Sequence, residues 1–231
     1  MKRFYAAVAV EAFDDGFGIL LDGRQVRTPG RAPVRVASEA LSEALRDEWA
    51  AQGDRVDPLS MPLTQLANTA IDLTPERRRE TVAELVRYGE TDLLCYRADR
   101  PQNLVERQEA SWQPLLEWLR RRHGIALAAV SGVLPQPQDP HAIASLEHVV
   151  GGCDDFELTA LHLGVTSAGS VAIGLATIAG DITAEEAADA AFLDDRYQIE
   201  HWGADAEAEA RLAQGRADIA LAWRFAALLR T

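Results

Sequence analysis

Apolar and polar positions alternate over the first 37 residues, then settle into the three-to-four-residue spacing of amphipathic helices. RFYAAVAVEAF reads as a strand, Asp14-Asp15-Gly16 as a turn and FGILL as a second strand. Asp22-Gly23 supplies the positive backbone angles of a two-residue hairpin, so LLDGRQV is predicted to fold back on itself. Thr28-Pro29-Gly30 breaks the pattern again, and APVRVA gives a last short strand. A meander this small cannot hide its apolar face alone and should lean on the segments C-terminal to it.

Those segments read as helices. Ser38 is placed to cap one whose Ala40, Leu41, Ala44, Leu45 and Trp49 share a face, ending near Gly53. Pro62 to Ile71 has helical character, and Thr74-Pro75-Glu76 opens a helix that Gly89 should stop. The next begins near Pro101 and carries Leu104, Trp112, Leu115, Leu116, Trp118 and Leu119. Pro114 should kink or divide it, and Gly124 should end it. The small residues of SAGSVAIGLATIAG suit close helix packing. These patterns predict an α+β protein: a small antiparallel β-rich N-terminal domain, residues 1–60, and a larger mostly α-helical domain, residues 61–231. A proline-rich loop is expected at 131–140.

From Thr183 onward the chain reads as one helix to Gly203, opened by the capping box TAEE. At 100° per residue, Ala184, Ala187, Ala188, Ala191, Phe192, Ile199 and Trp202 share one arc. Asp195 falls in the middle of that arc, and Asp194 and Gln198 at its edge. A carboxylate on an apolar stripe must be paired, hydrogen-bonded or protonated. Asp195 is therefore expected either to meet an internal partner, such as an arginine, or to be held ready for an outside one. Asp205, Glu207 and Glu209 suit the first turn of a final helix.

Composition narrows the function. With 48% hydrophobic and 26% charged residues the chain is an ordinary globular one. No apolar run is long enough to span a membrane, so no stable membrane insertion is expected. The net charge of −13 argues against nucleic acid. It divides unevenly, −2 over residues 1–122 and −11 over residues 123–231, so the C-terminal half either keeps the protein soluble or steers a basic partner surface. Cys95 and Cys153 lack metal or redox spacing and read as thiols of a reducing compartment.

Nucleophile elbow, P-loop, dinucleotide fingerprint and zinc-protease motif are all missing. The histidines at 123, 141, 148, 162 and 201 form no compelling ligand pattern, so no catalytic residue, metal, cofactor or small-molecule substrate is expected. Two adjacent aspartates without a matched histidine or nucleophile suit a recognition surface better than a hydrolase. A hydrolase using Asp194 and Asp195, and a helical protein-interaction adaptor, remain the alternatives.

Several segments together carry a resemblance: Arg3-Phe4-Tyr5, LDGRQVRTP, DEWAAQ, MPLTQLANTAID, TDLLCYRAD, QNLVERQEASWQPLLEWL, LDDRYQIEHWG and ADAEAEA. Over essentially its whole length the chain resembles the assembly chaperones dedicated to the α subunit of the ATP synthase F-one sector. The resemblance implies a β-rich N-terminal domain, a larger helical one, and no enzymatic activity. It also implies ATP-independent binding of the unassembled α subunit, promoting assembly of the α/β hexamer. The family's functional acid, usually a glutamate, corresponds to Asp194. The partner-binding residues expected from wheel and resemblance are Asp194, Asp195, Gln198 and Trp202. The first strand starts near Met1 with no Arg- and Ser-rich presequence, so the bacterial cytoplasm is the expected location, with the mitochondrial matrix as the alternative for a processed form.

Overall fold

The structure, a computed structural model, describes residues 2–132, 136–203 and 205–231. The fold is α+β, as the patterning predicts, and the chain forms two compact units. One comprises Met1–Arg78, Asp154–Ala160 and Arg224–Thr231; the other comprises Arg79–Cys153 and Leu161–Trp223.

In the first unit, β1 (Val8–Phe13), β2 (Gly16–Leu21) and β3 (Arg24–Gln25) form an antiparallel sheet in sequence order. The expected hairpin is present: Leu21 pairs with Arg24, and Asp22 and Gly23 both have positive φ, 50° and 77°. Val36 exchanges two backbone hydrogen bonds with Phe17, drawing the APVRVA segment onto the sheet. Ile19, Leu21, Val34 and Val36 are buried, as are Leu41 and Leu45 of α1 (Glu39–Ala50). Hiding each of those leucines is worth about 1.5–3 kcal/mol, the cover this small sheet needs. Ser38 caps α1 by accepting from the Leu41 N–H.

α2 (Pro62–Asp72) contains most of MPLTQLANTAID, and Met61 gives it no side-chain cap. Glu48 of α1 supplies one, its two oxygens accepting from Leu63 N at 2.8 Å and Thr64 N at 2.7 Å. At the other end Asp72 accepts from the Thr28 hydroxyl and the Gly30 N–H, both at 2.7 Å. This motif thus serves to hold the first unit together.

The second unit takes α3 (Thr74–Glu90) from Arg79 onward, α4 (Gln102–His123), α5 (Pro140–Gly151) and α6 (Asp155–Ala168) from Leu161 onward. It also holds α7 (Val171–Ala179), α8 (Ala184–Ala191), α9 (Leu193–Trp202) and α10 (Ala206–Leu229) as far as Trp223. A short parallel pair, β4 (Tyr96–Arg97) and β5 (Val130–Ser131), completes it. The proline-rich stretch expected at 131–140 includes residues 133–135, which lie outside the described residues; Asp139 caps α5.

One expected helix break is corrected. Pro114 does not divide α4, because it sits on the exposed face while Trp112, Leu115, Leu116 and Leu119 hold the opposite face in the core. Gly89 falls in the last turn of α3, which ends at Glu90 as expected. A Cβ there would lie 2.3 Å from Leu146 Cδ2, so this glycine allows α3 and α5 to approach closely. At the unit's centre the Trp112 indole N–H donates to the Ala190 carbonyl at 2.8 Å, tying α4 to α8.

Candidate functional site

The helix expected from Thr183 to Gly203 is two helices. The capping box opens α8 as predicted, with Thr183 accepting from Glu186 N and Glu186 accepting from Thr183 N. At Phe192 the backbone leaves helical angles, φ −107° and ψ 25°, before α9 begins. The Phe192 ring lies against Gly215 of α10, where a Cβ would come within 2.4 Å of it. Asp189 then binds two arginines, Arg196 at 2.7 Å and Arg216 at 2.9 Å, joining α8, α9 and α10. Ring seat and shared carboxylate together fix the direction in which α9 sets out.

The break resets the helical phase. Tyr197 of α9 points inward, only 4% exposed, and its hydroxyl donates to Asn103 Oδ1 of α4 at 2.8 Å. His201 stacks on the Tyr197 ring with centroids 4.0 Å apart. Its Nδ1 lies 2.8 Å from the Tyr197 carbonyl oxygen, which can only accept, so Nδ1 carries the proton of that bond. Arg107 of α4 pairs with Glu200 at 2.6 Å and reaches over the Tyr197 ring.

On the neighbouring face of α9, Asp194, Gln198 and Trp202 succeed one another at four-residue intervals. All three line a groove of about 560 Å³ whose other wall is the segment Tyr96–Pro101 with Leu104 and Gln108 of α4. Gln198 is exposed at the rim, and Trp202 is 77% exposed, a large apolar surface left to solvent. Asp194 is half-buried. Its Oδ1 accepts from the Gln108 side-chain amide at 2.8 Å. Burial raises the Asp194 carboxyl above its ordinary range, the Gln108 bond offsets part of that rise, and the neighbouring Asp195 charge adds to it.

Asp195 is the correction at this site. It is exposed and does not line the groove, and among the described residues it makes no hydrogen bond or ion pair. The expected internal partner fails because the turn at Phe192 rotates Asp195 away from the alanine face of α8. The arginine next to it, Arg196, is also exposed but pairs with Asp189 instead.

Sequence reasoning missed Gln108 and Asn103, the α4 residues that hold Asp194 and Tyr197. A signal for Gln108 was present. It lies midway between Leu104 and Trp112 at four-residue steps, a polar residue on an apolar stripe, and it is only 1% exposed. Among the described residues, no group of three His, Cys, Asp or Glu side chains is arranged to hold a metal, and no helix is long and apolar enough to cross a membrane.

The family model described as ATP12 chaperone protein matches residues 2–120. The chain belongs to the ATP12 chaperone family. The crystal structure of Atp12 from Paracoccus denitrificans is similar at 42% identity and a TM-score of 0.95, covering 99% of this chain and 98% of that one. An aspartate-to-lysine mutant of the same Paracoccus protein gives a TM-score of 0.96 at the same identity and coverage. The mitochondrial protein atp12 of Schizosaccharomyces pombe is 25% identical over 218 residues, 87% of this chain and 74% of its own length. The ATP12 family model spans the α4 wall of the groove, and the likeness to the Paracoccus structures extends over α9 as well. Membership makes this chain an ATP synthase assembly chaperone, whose partner is a protein.

Proposed function

We propose that this ATP12-family protein binds the unassembled α subunit of the ATP synthase F-one sector and holds it until the α/β hexamer assembles. Binding is ATP-independent, and no covalent bond is made or broken. The observation that carries this reading is the α9 groove. It combines a half-buried carboxylate, an exposed tryptophan and a glutamine on one helix face. Orphan subunits expose apolar patches and aggregate through them. A holding chaperone covers such a patch over an interface of roughly 1,200–2,000 Å² and then yields to a larger, more apolar permanent contact. Asp194, Gln198 and Trp202 supply the directional and apolar contacts in this scheme, and Asp195, exposed beside them, contributes charge at the margin. The bacterial cytoplasm is the proposed compartment, supported by the higher identity to the Paracoccus protein than to the mitochondrial one.

A hydrolase would need two carboxylates facing one reaction centre, and Asp195 does not line the groove that holds Asp194. Tagged protein purified from cells should carry free α subunit and be absent from the finished F-one complex. Co-purification with the finished complex would favour a permanent adaptor, and no α subunit in any fraction would overturn the proposal.

A further inference from the structure

We propose that the α9 groove receives a cationic side chain of its client, a lysine or arginine set among apolar residues, and that Gln108 is the positioning residue that aims Asp194 at it. This rests on the proposed α-subunit client and extends it to the chemistry of the docked segment.

Asp194 is half-buried, yet among the described residues it forms no ion pair, and burial, Gln108 and Asp195, none of them basic, are what shift its carboxyl. Asp189, three residues before the break, has two arginines. A partly desolvated carboxylate without a counter-ion is costly unless a partner completes it. The arginines along the groove do not serve: Arg97 is committed to Glu109 at 2.8 Å and to the Leu94 carbonyl, and Arg100 stands out in solvent near Asp99.

Geometry gives the carboxylate a direction. The Gln108 side-chain oxygen accepts from the Ala98 N–H at 2.8 Å, so its amide nitrogen must be the end that faces Asp194. A flipped amide would set donor against donor at Ala98 and acceptor against acceptor at Asp194. Oδ1 is therefore occupied by a fixed donor, and among the described residues Oδ2 accepts no hydrogen bond. Leu104, Pro101 and Trp202 give the groove apolar walls along which the aliphatic stem of a lysine or arginine can lie. An uncharged apolar segment would fill the groove but leave the carboxylate without its counter-ion.

The test uses the full chain and full-length unassembled α subunit. A photo-reactive benzoylphenylalanine is placed at Asp99 and, separately, at Arg100, both exposed at the rim, and the cross-linked client segment is identified by mass spectrometry. The segment should contain a lysine or arginine. Changing that residue to glutamine should weaken binding about tenfold to the parent, but little to Asp194→Asn. The same penalty should shrink in Gln108→Leu and in Gln108→Met. The second keeps the length of the side chain and a weak sulfur acceptor for Ala98 N–H without adding charge, so a loss of folding in the first does not leave the positioning role undecided. Failure of the parent to capture α subunit would overturn the client reading itself. Capture without a groove cross-link, a cross-linked segment lacking a cation, or an equal penalty in parent and Asp194→Asn would overturn only the present inference. A full penalty retained in both folded Gln108 variants would remove Gln108 from it.

Discussion

Asp92 and Asp194 lie in the same unit, each beside the first turn of a helix, and burial raises the carboxyl of both. Their surroundings differ. Asp92 is fully buried and surrounded by donors: Leu94 N at 3.0 Å, Val171 N at 2.7 Å, Ala172 N at 3.3 Å and the Ser170 hydroxyl. It ties the turn before β4 to the start of α7. Among the described residues Asp194 has one donor, Gln108, and it opens on a groove. A carboxylate whose hydrogen bonds are completed by its own fold is a structural part. One left half-complete beside an exposed tryptophan is suited to receiving something from outside.

That contrast predicts different failures. The largest effect should come from Asp92→Ala, which strands several buried donors and should lower stability by on the order of 3 kcal/mol, read as a fall in the urea midpoint. The surviving folded protein should still bind α subunit normally. A midpoint close to the parent's would mean that Asp92 does not hold α7 in place.

Asp92 should also leave a pH signature. Its pKa rises from the ordinary 3.8 to about 6 in the fold, so between those values the native state holds a proton that the unfolded chain has released. The stability this contributes is full below about pH 4 and is lost as pH rises through 6. Subtracting the stability of Asp92→Asn from that of the parent at each pH isolates the effect from other carboxylates. The difference should fall across the window and flatten above it; a rise would contradict the assignment.

Trp202→Ala should change stability by less than about 0.5 kcal/mol, because the ring is already in solvent. It should weaken capture of α subunit severalfold, as loss of an interface aromatic does, which a binding titration would show. Asp195→Asn should produce the smallest effect, within about twofold in capture and within about 0.5 kcal/mol in stability, since it stands outside the groove. A large loss of capture there would move the binding surface to the other side of α9.

What was legible in the sequence was local. Asp22-Gly23 specifies its hairpin through backbone angles available to those two residues, and Ser38 and the TAEE box specify helix starts through bonds spanning three residues. What the sequence concealed depends on distant residues. The wheel from Thr183 to Gly203 assumed an unbroken helix, and the break at Phe192 is stabilised by Gly215 and by Asp189 gathering Arg196 and Arg216. That shift of phase exchanged the places expected for Asp194 and Asp195. Gly89 marks the end of α3 without revealing its packing role, and Pro114 looks like a stop signal when read alone. Their meaning was set by Leu146 in one case and by the buried face of α4 in the other.

The most direct test is a titration of free F-one α subunit with the parent and with Asp194→Asn, after showing that both unfold at the same urea concentration. Asparagine keeps an oxygen for Gln108 and removes the charge, so the fold should be undisturbed while affinity falls about tenfold, roughly 1.4 kcal/mol. Equal affinities at equal stability would contradict the account, because the groove carboxylate would then have no part in holding the client.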